Sequence, residues 1–464
     1  MVRDRFRVFV ILLLGLVVDR DVGDTRAAEL GEAERTLVIK NVSLFDSMAG
    51  AMRPSRTIVI RGARILDVVG ADAAVTVPEG ARVLDGTGKY AIPGLIDAHV
   101  HLVHLADRMH ITGDEFLPMF IAAGVTSVRS AGDAIVAESS VAKFAESHPE
   151  RSPRVFLASP LIDRDPPFHR DVGYALTDPA KVQAFVEDMV AWRVTTLKIY
   201  VGTPRAVGVE VIKEGQKRGL KITGHLGAYS AQEAAADGID CLEHIWSVFN
   251  YSIPPEAAKQ PDHRANLDLN NPQCQALVEL LANRKVTVDP TLVVFRNMIY
   301  LNDLEEVHKH PDLQHVPKRM LQYWESYRAG SGLKPDTRDA RQKEIQKYQE
   351  LTGKLHRFGV PILVGTDTPE PFVPPGFSLH QELEMLVQSG LTAAEALTSA
   401  TLLNARMVNK GDELGHLDKG KIADLVILSA DPTVDIRNTR KIENVIRSGH
   451  VTTPAAALAF VPAD

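Results

Sequence analysis

The stretch Ile92-Pro93-Gly94-Leu95-Ile96-Asp97-Ala98-His99-Val100-His101 begins as an apolar run and ends in a His-x-His pair. Side chains alternate faces along a β-strand, so His99 and His101 point the same way. Two imidazoles on one face of a strand end suit a cation better than a core, because imidazole nitrogen is a good ligand for Zn²⁺ and similar metals. The pair alone is a weak signal, and the remaining ligands have to come from elsewhere in the chain.

Downstream, apolar strand-like runs alternate with helical periodicity, the pattern of parallel βα units. Eight runs stand out, at 92–100, 126–130, 154–158, 195–200, 221–225, 240–245, 287–292 and 361–367. Helical periodicity fills 178–193, 204–218 and 231–237 between them. This predicts a (β/α)8 TIM-like barrel over residues 92–409, with its active site at the C-terminal strand ends. Two connections, 246–285 and 293–360, are too long to be simple turns and are expected to shape or cover a substrate site.

Residues 36–91 read as short strands separated by Gly, Pro and Asp. After two amphipathic helices, at 379–388 and 393–408, strand-like runs return at 420–428 and 442–447. The expectation is a small discontinuous β-sandwich domain built from both chain ends, 36–91 and 410–455.

The 464 residues are 45% hydrophobic and 24% charged, an ordinary globular composition, and the formal net charge of -7 gives no sign of nucleic-acid binding. Arg3, Arg5 and Arg7 precede the unbroken apolar run 8–18, which reads as a signal peptide over 1–28 and a secreted or periplasmic protein, the other location being cytoplasmic. The run is short for a bilayer span, so none is expected in the mature chain. Cys241 and Cys274 are the only cysteines, and their pairing is open. A homo-oligomer is compatible with the sequence.

Four later strands carry a metal-competent side chain near the C-terminal end: Lys198, His225, His244 and Asp367. Each has an ordinary alternative, a hydrogen-bonded core histidine or, for Asp367 after Gly-Thr, a helix cap. Together with His99 and His101, their shared position is improbable as coincidence. Lys198 is the oddity, since an amine in an apolar strand is costly unless paired. It either meets an acid across the barrel or reacts with CO₂ to become a carbamate, for which burial frees the amine.

With these residues in place, the chain resembles the metal-dependent amidohydrolase superfamily, in its imidazolonepropionase-like and prolidase-like branch. The resemblance rests on 93–101, Lys198-Ile199, His225, Glu243-His244, Gly365-Thr366-Asp367 and the tail Gly415-x-Leu417 with Gly420-Lys421-x-Ala423-Asp424. It implies two divalent metal ions, Zn²⁺ by ligand type, although Co²⁺, Mn²⁺ or Fe²⁺ fit the same donors. His99 and His101 with Asp367 would hold one ion and His225 and His244 the other, with N6-carboxylated Lys198 between them. A hydroxide bridging the ions would attack the substrate carbonyl, and Asp367 would carry its proton to the leaving nitrogen.

The expected activity is therefore hydrolysis of a C–N amide or peptide bond in a dipeptide or N-acyl amino acid, the class suggested by exported relatives of the branch. A cyclic amide, an imide or a lactone is the alternative within the fold, and a metal- or ligand-binding protein without catalysis is the alternative outside it. The partner in the first reading is a small-molecule amide or peptide. For substrate contacts, Tyr229 lies shortly after His225, and His169 and Arg170 lie in the loop after the third run. Tyr229 would bond the substrate carbonyl, as a nearby Tyr does in related peptidases, and His169 with Arg170 would bind a substrate carboxylate. His104 and His110 read as helix or loop histidines rather than ligands, and His380, at the start of a helix, as a residue supporting the ligands or a structural one.

Overall fold

The computed structural model of the chain describes residues 36–70, 72–260, 262–301, 303–309, 311–330 and 338–463; the expected signal peptide lies outside these residues. Five strands come first: β1 (Thr36–Asp46), β2 (Ala51–Arg61), β3 (Arg64–Gly70), β4 (Arg82–Asp85) and β5 (Tyr90–Pro93). β1 and β2 are 11 residues each, much longer than their strand-like stretches 37–39 and 57–60, because the bulges between Ile39 and Leu44 break the apolar alternation while pairing continues.

The second layer of the fold is parallel. Its strands are β6 (Leu95–Val100), β7 (Val125–Ser130), β8 (Arg154–Phe156), β9 (Leu161–Asp163), β10 (Gly173–Ala175), β11 (Thr196–Ile199), β12 (Lys221–Gly224), β13 (Cys241–Glu243) and β14 (Thr287–Asp289). β6, β7 and β8 form one sheet, and β9 to β14 form another in the order β10-β9-β11-β12-β13-β14. The bridge Ala158↔Thr196 joins the two sheets on one side. On the other, the eighth expected run is too irregular to be a continuous strand. It is held by the bridges Val288↔Ile362 and Val100↔Thr368 and by hydrogen bonds from Ala98 N to Val364 O and from Asp367 N to His99 O. With helices such as Arg205–Lys217, Ala231–Asp237 and Ser378–Gln388 between the strands, the result is a TIM-barrel-like mixed α/β fold.

The tail strands β15 (Leu425–Leu428), β16 (Ile442–Arg447) and β17 (His450–Thr452) then join the first five in one eight-stranded sheet. β15 runs antiparallel to β5, pairing Leu425 with Pro93. Ile65 N donates to Lys421 O and Ala423 N to Ala63 O, so the chain entering β15 also bonds the far edge of the sheet at β3. Both ends of the chain thereby surround one apolar core that includes Ile39, Leu44, Ile58, Ile60, Leu425 and Ile446.

Gly94 is the joint between the layers. β5 ends at Pro93 and β6 starts at Leu95, with Gly94 N bonded to Asp424 O at 2.9 Å. A Cβ at position 94 would collide with Thr126 of β7, so only glycine lets the two layers approach this closely. Asn404 fastens the same region from the tail: its side chain bonds the carbonyls of Ile96 and Val364 and the amide of Val364. Cys241 and Cys274 are both buried and both free thiols. Among the described residues no helix is long and apolar enough to cross a membrane.

Candidate metal centre

His99 and His101 meet Asp367 at the C-terminal end of β6. The Nε2 atoms of the two imidazoles lie 3.4 and 3.3 Å from the same oxygen, Asp367 Oδ1. Their other nitrogens are engaged. His99 Nδ1 is 2.9 Å from Glu243 Oε2, and His101 Nδ1 is 3.1 Å from Gly132 O. An ionised carboxylate and a carbonyl only accept, so each Nδ1 is the donor, and in the neutral form of either ring Nε2 keeps the lone pair a cation would take.

That arrangement fits a divalent cation. His99 Nε2 is buried with no hydrogen-bond partner, and donors about 2.0–2.2 Å from one ion stand at roughly the separations found here. Thr366 and Asp367 turn the chain for this purpose: Asp367 sits at φ 63°, in the left-handed region, with its amide bonded to His99 O at 2.8 Å. Asp97 holds the same turn, accepting from Thr366 Oγ1 at 2.7 Å and from the amides of His99 and Thr366.

Lys198, His225 and His244 complete the ring of strand ends. The His225 and His244 rings lie 4.3 Å apart, and those of His99 and His244 lie 4.6 Å apart. His244 Nδ1 is 2.8 Å from Thr291 Oγ1 and 3.9 Å from Asp367 Oδ2. Lys198 is 1% exposed, yet its ammonium has no hydrogen bond or ion pair among the described residues. The structure thus brings the six sequence candidates His99, His101, Lys198, His225, His244 and Asp367 to one cavity.

The electrostatics follow from burial and neighbours. Burial lowers the Lys198 pKa, against the pull of the Glu243 carboxylate. Burial, and then the charge of Lys198, depress His225 to about 3, so its imidazole is neutral and free to ligate. Burial works to raise Asp367, but His99, His244 and His101 around it hold the carboxyl well below the usual range.

Beneath the ligands lies a layer of charge from which sequence reasoning had only Glu243, as part of a motif and without a role. Arg129, fully buried in β7, donates to Glu243 Oε1 at 2.7 Å and lies 3.6 Å from Asp289. Glu243 therefore bridges Arg129 and His99. Asp133 accepts from the amides of Leu102, Val103 and His104 and so fixes the turn that follows His101. The signal that singled out Lys198, a charged side chain inside an apolar strand, was also present at Arg129, Glu243 and Asp289.

The cavity above the ligands has a volume of about 280 Å³. Part of its outer wall comes from the second long connection: Phe295 and Met298 of the helix Leu292–Ile299, and Tyr323 and Tyr327 of the helix Lys318–Gly330; the described residues of the first long connection do not line it. Trp324 Nε1 bonds Pro369 O at 3.0 Å, which ties the second helix to the segment after Asp367. Arg108, Tyr200 and Glu370 also line the cavity, and burial, then Asp367, raises Glu370 to about 8.

Of the expected substrate contacts, His169 lines this cavity, its ring 4.8 Å from that of His104. Arg170 is exposed and is not part of the lining. Tyr229 is placed elsewhere: it is fully buried, its ring against Gly208 and its hydroxyl donating to Asp237 at 2.9 Å. The residues Gly227-Ala228 carry the chain past the strand end before Tyr229, so its side chain joins the helix layer. His104, read from sequence as a helix or loop residue only, is buried beside His101 and lines the cavity. His380 bonds Thr439 Oγ1 at 2.9 Å and His110 is exposed.

The sequence profile of the amidohydrolase family matches residues 90–452. The chain belongs to the amidohydrolase family. An adenine deaminase of Rubrobacter xylanophilus is 33% identical over 100 residues, which are 22% of this chain and 16% of that protein, so the match takes in only a small part of the deaminase. An imidazolonepropionase of Cupriavidus taiwanensis is 24% identical over 426 residues, 83% of this chain and 89% of that one. A solved Xaa-Pro dipeptidase with bound methionine in its active site superposes with a TM-score of 0.66 at 20% identity, covering 90% of this chain and all (100%) of that one. The likeness to the dipeptidase is one of fold, and the imidazolonepropionase aligns over most of both chains.

Proposed function

We propose that this amidohydrolase is a binuclear metal-dependent hydrolase of C–N bonds, acting on a dipeptide or an N-acyl amino acid. The observation that carries the reading is the convergence of the His99 and His101 Nε2 atoms on Asp367 Oδ1, with both Nδ1 atoms engaged behind them. In this reading the parallel strands form a complete (β/α)8 barrel over 92–409, and 36–91 with 410–455 form a β-sandwich domain beside it.

His99, His101 and Asp367 would hold one cation and His225 and His244 the other, with Lys198, N6-carboxylated, between them. Zn²⁺ suits this donor set. When bound, such ions polarise a carbonyl and lower the pKa of water.

The side chains of this chain do the rest. Asp367 takes a proton from the attacking water and returns it to the leaving nitrogen, so that amide and water become carboxylate and amine. Glu243 keeps His99 in one tautomer, and Arg129 keeps Glu243 ionised. Arg108 and His169, on the cavity wall, suit the carboxylate of the amino-acid half. Phe295, Met298 and the two tyrosines narrow the access of bulk water.

A second reading, hydrolysis of a cyclic amide, is supported by the imidazolonepropionase relative, which aligns over most of both chains. The test is turnover by the Zn²⁺-loaded protein of a mixed panel of dipeptides, N-acyl amino acids, cyclic imides and lactones. Turnover of linear amides, lost in Asp367→Asn while metal is retained, supports the first reading. Turnover confined to cyclic substrates replaces it with the second, and no turnover of any panel member contradicts both.

A further inference from the structure

Beside the catalytic cavity lies a larger and more open one of about 890 Å³. His225, Phe295 and Met298 line both, so the two are separated by little more than those side chains. The second chamber opens directly beside a proposed metal ligand.

Its chemistry differs from that of the catalytic cavity. The Trp246 ring is 6.1 Å from that of His225, and Tyr348 packs edge-on to Phe295 with 5.8 Å between centroids. The polar groups among these rings satisfy one another. Arg264 lies over the Trp246 face at 5.6 Å and 3.5 Å from Glu344, which also accepts the Tyr348 hydroxyl at 2.6 Å. Asp262, His263 and Arg341 also line the chamber, and between these polar groups the half-buried Trp246, Phe295, Met298 and Ile299 offer a ligand apolar surface. The catalytic cavity, by contrast, presents Arg108 and is about a third as large.

The geometry points to a bipartite substrate: an aromatic or long aliphatic acyl group seated against the half-buried Trp246, Phe295 and Ile299, and an amino acid held on the Arg108 side. The scissile amide would then cross the screen at His225 and Phe295. This inference rests on the amide-hydrolase reading and narrows it to N-acyl amino acids with large apolar acyl groups.

Two measurements test it, one needing turnover and one not. In the first, the Zn²⁺-loaded full chain is given N-acetylalanine, N-octanoylalanine and N-(3-phenylpropanoyl)alanine. The larger acyl groups are expected to raise kcat/KM by at least about tenfold over acetyl, mainly through KM, from the apolar area they bury. Ala265→Trp, which fills the chamber, should bring that ratio down to about two or three. Trp246→Ala should lower it as well and serves if Ala265→Trp fails to fold by circular dichroism.

In the second, calorimetry compares the binding of the same compounds to Asp367→Asn. An affinity at least about tenfold higher for the phenylpropanoyl compound than for the acetyl compound, abolished by adding Ala265→Trp or Trp246→Ala, supports the chamber assignment even if the wild type hydrolyses none of them, an outcome that would sink only the amide-hydrolase reading. Equal affinities, or a preference that both variants preserve, would overturn the assignment whether or not the enzyme turns the compounds over.

Discussion

His99 donates its Nδ1 hydrogen to Glu243 across the barrel at 2.9 Å, and Glu243 at the same time accepts from the buried guanidinium of Arg129 at 2.7 Å. One carboxylate therefore orients a proposed metal ligand and neutralises a charge that has no route to water. Glu243→Gln should lower bound metal and cut kcat/KM by roughly 10- to 100-fold, the usual effect of losing a ligand-orienting carboxylate. Taking the closer of its two carboxylates from Arg129, which keeps Asp289 at 3.6 Å, should also cost about 3 kcal/mol of stability. Elemental analysis and denaturant unfolding measure the two effects, and a variant with full metal and unchanged unfolding would show that the contact is incidental.

Lys198 is buried with no hydrogen bond or ion pair of its own among the described residues, and burial shifts it toward the neutral amine that carbamate formation requires. Lys198→Ala should lose nearly all activity and regain a part of it in acetate or propionate, which can supply the missing carboxylate. Wild-type turnover in the variant without additive would show that no carbamate is needed.

Gly365 tests how tightly the centre is packed. A Cβ there would collide with the Asp289 carboxylate and with the Cβ of His99. Gly365→Ala should destabilise the fold by about 1–3 kcal/mol through overpacking, and should reduce metal retention because His99 is displaced. Gly330, whose added Cβ would meet nothing, is the control: Gly330→Ala should leave the melting temperature within about a degree or raise it. Equal behaviour of the two variants would rule out a packing constraint at 365.

Glu382 is fully buried and accepts from the amides of Leu292 and Val293, at the start of the helix that carries Phe295 and Met298. Burial raises its pKa from 4.5 to about 8, against those two hydrogen bonds. A raised folded-state pKa stabilises below the unfolded value, and the contribution is lost as pH climbs from about 4.5 to about 8, at up to roughly 1.4 kcal/mol per pH unit. Glu382→Gln removes this titration. Its unfolding free energy should fall less between pH 5 and pH 8 than that of the wild type, and parallel pH profiles would contradict the assignment.

Much of this was legible because strand-end chemistry is local. His99 and His101 two apart, His225 and His244 at the ends of later apolar runs, and Asp367 after Gly-Thr could be read without knowing any contact. Lys198 was legible for a different reason, since its charge conflicts with its apolar surroundings. Arg129, Glu243 and Asp289 carry the same conflict, but their meaning lies in a pairing across the barrel, between residues more than a hundred positions apart, that no local pattern encodes. Tyr229 shows the limit of spacing arguments: two extra residues moved its ring from the strand end into the helix layer. The eighth run was found by its apolar content, although its irregular backbone pairs only through isolated bridges. Part of the cavity wall came from the long connection 293–360, whose helices could be located but whose approach to the site could not.

The central claim is that these strand ends hold a pair of metal ions, and the metal content of the purified chain measures it most directly. Elemental analysis after gentle purification and dialysis with Zn²⁺ should give about two metal ions per chain, falling when His99 and His101 or His225 and His244 are replaced in pairs. A ratio below one in the wild type after reconstitution, or a ratio of two that survives both paired replacements, would contradict it.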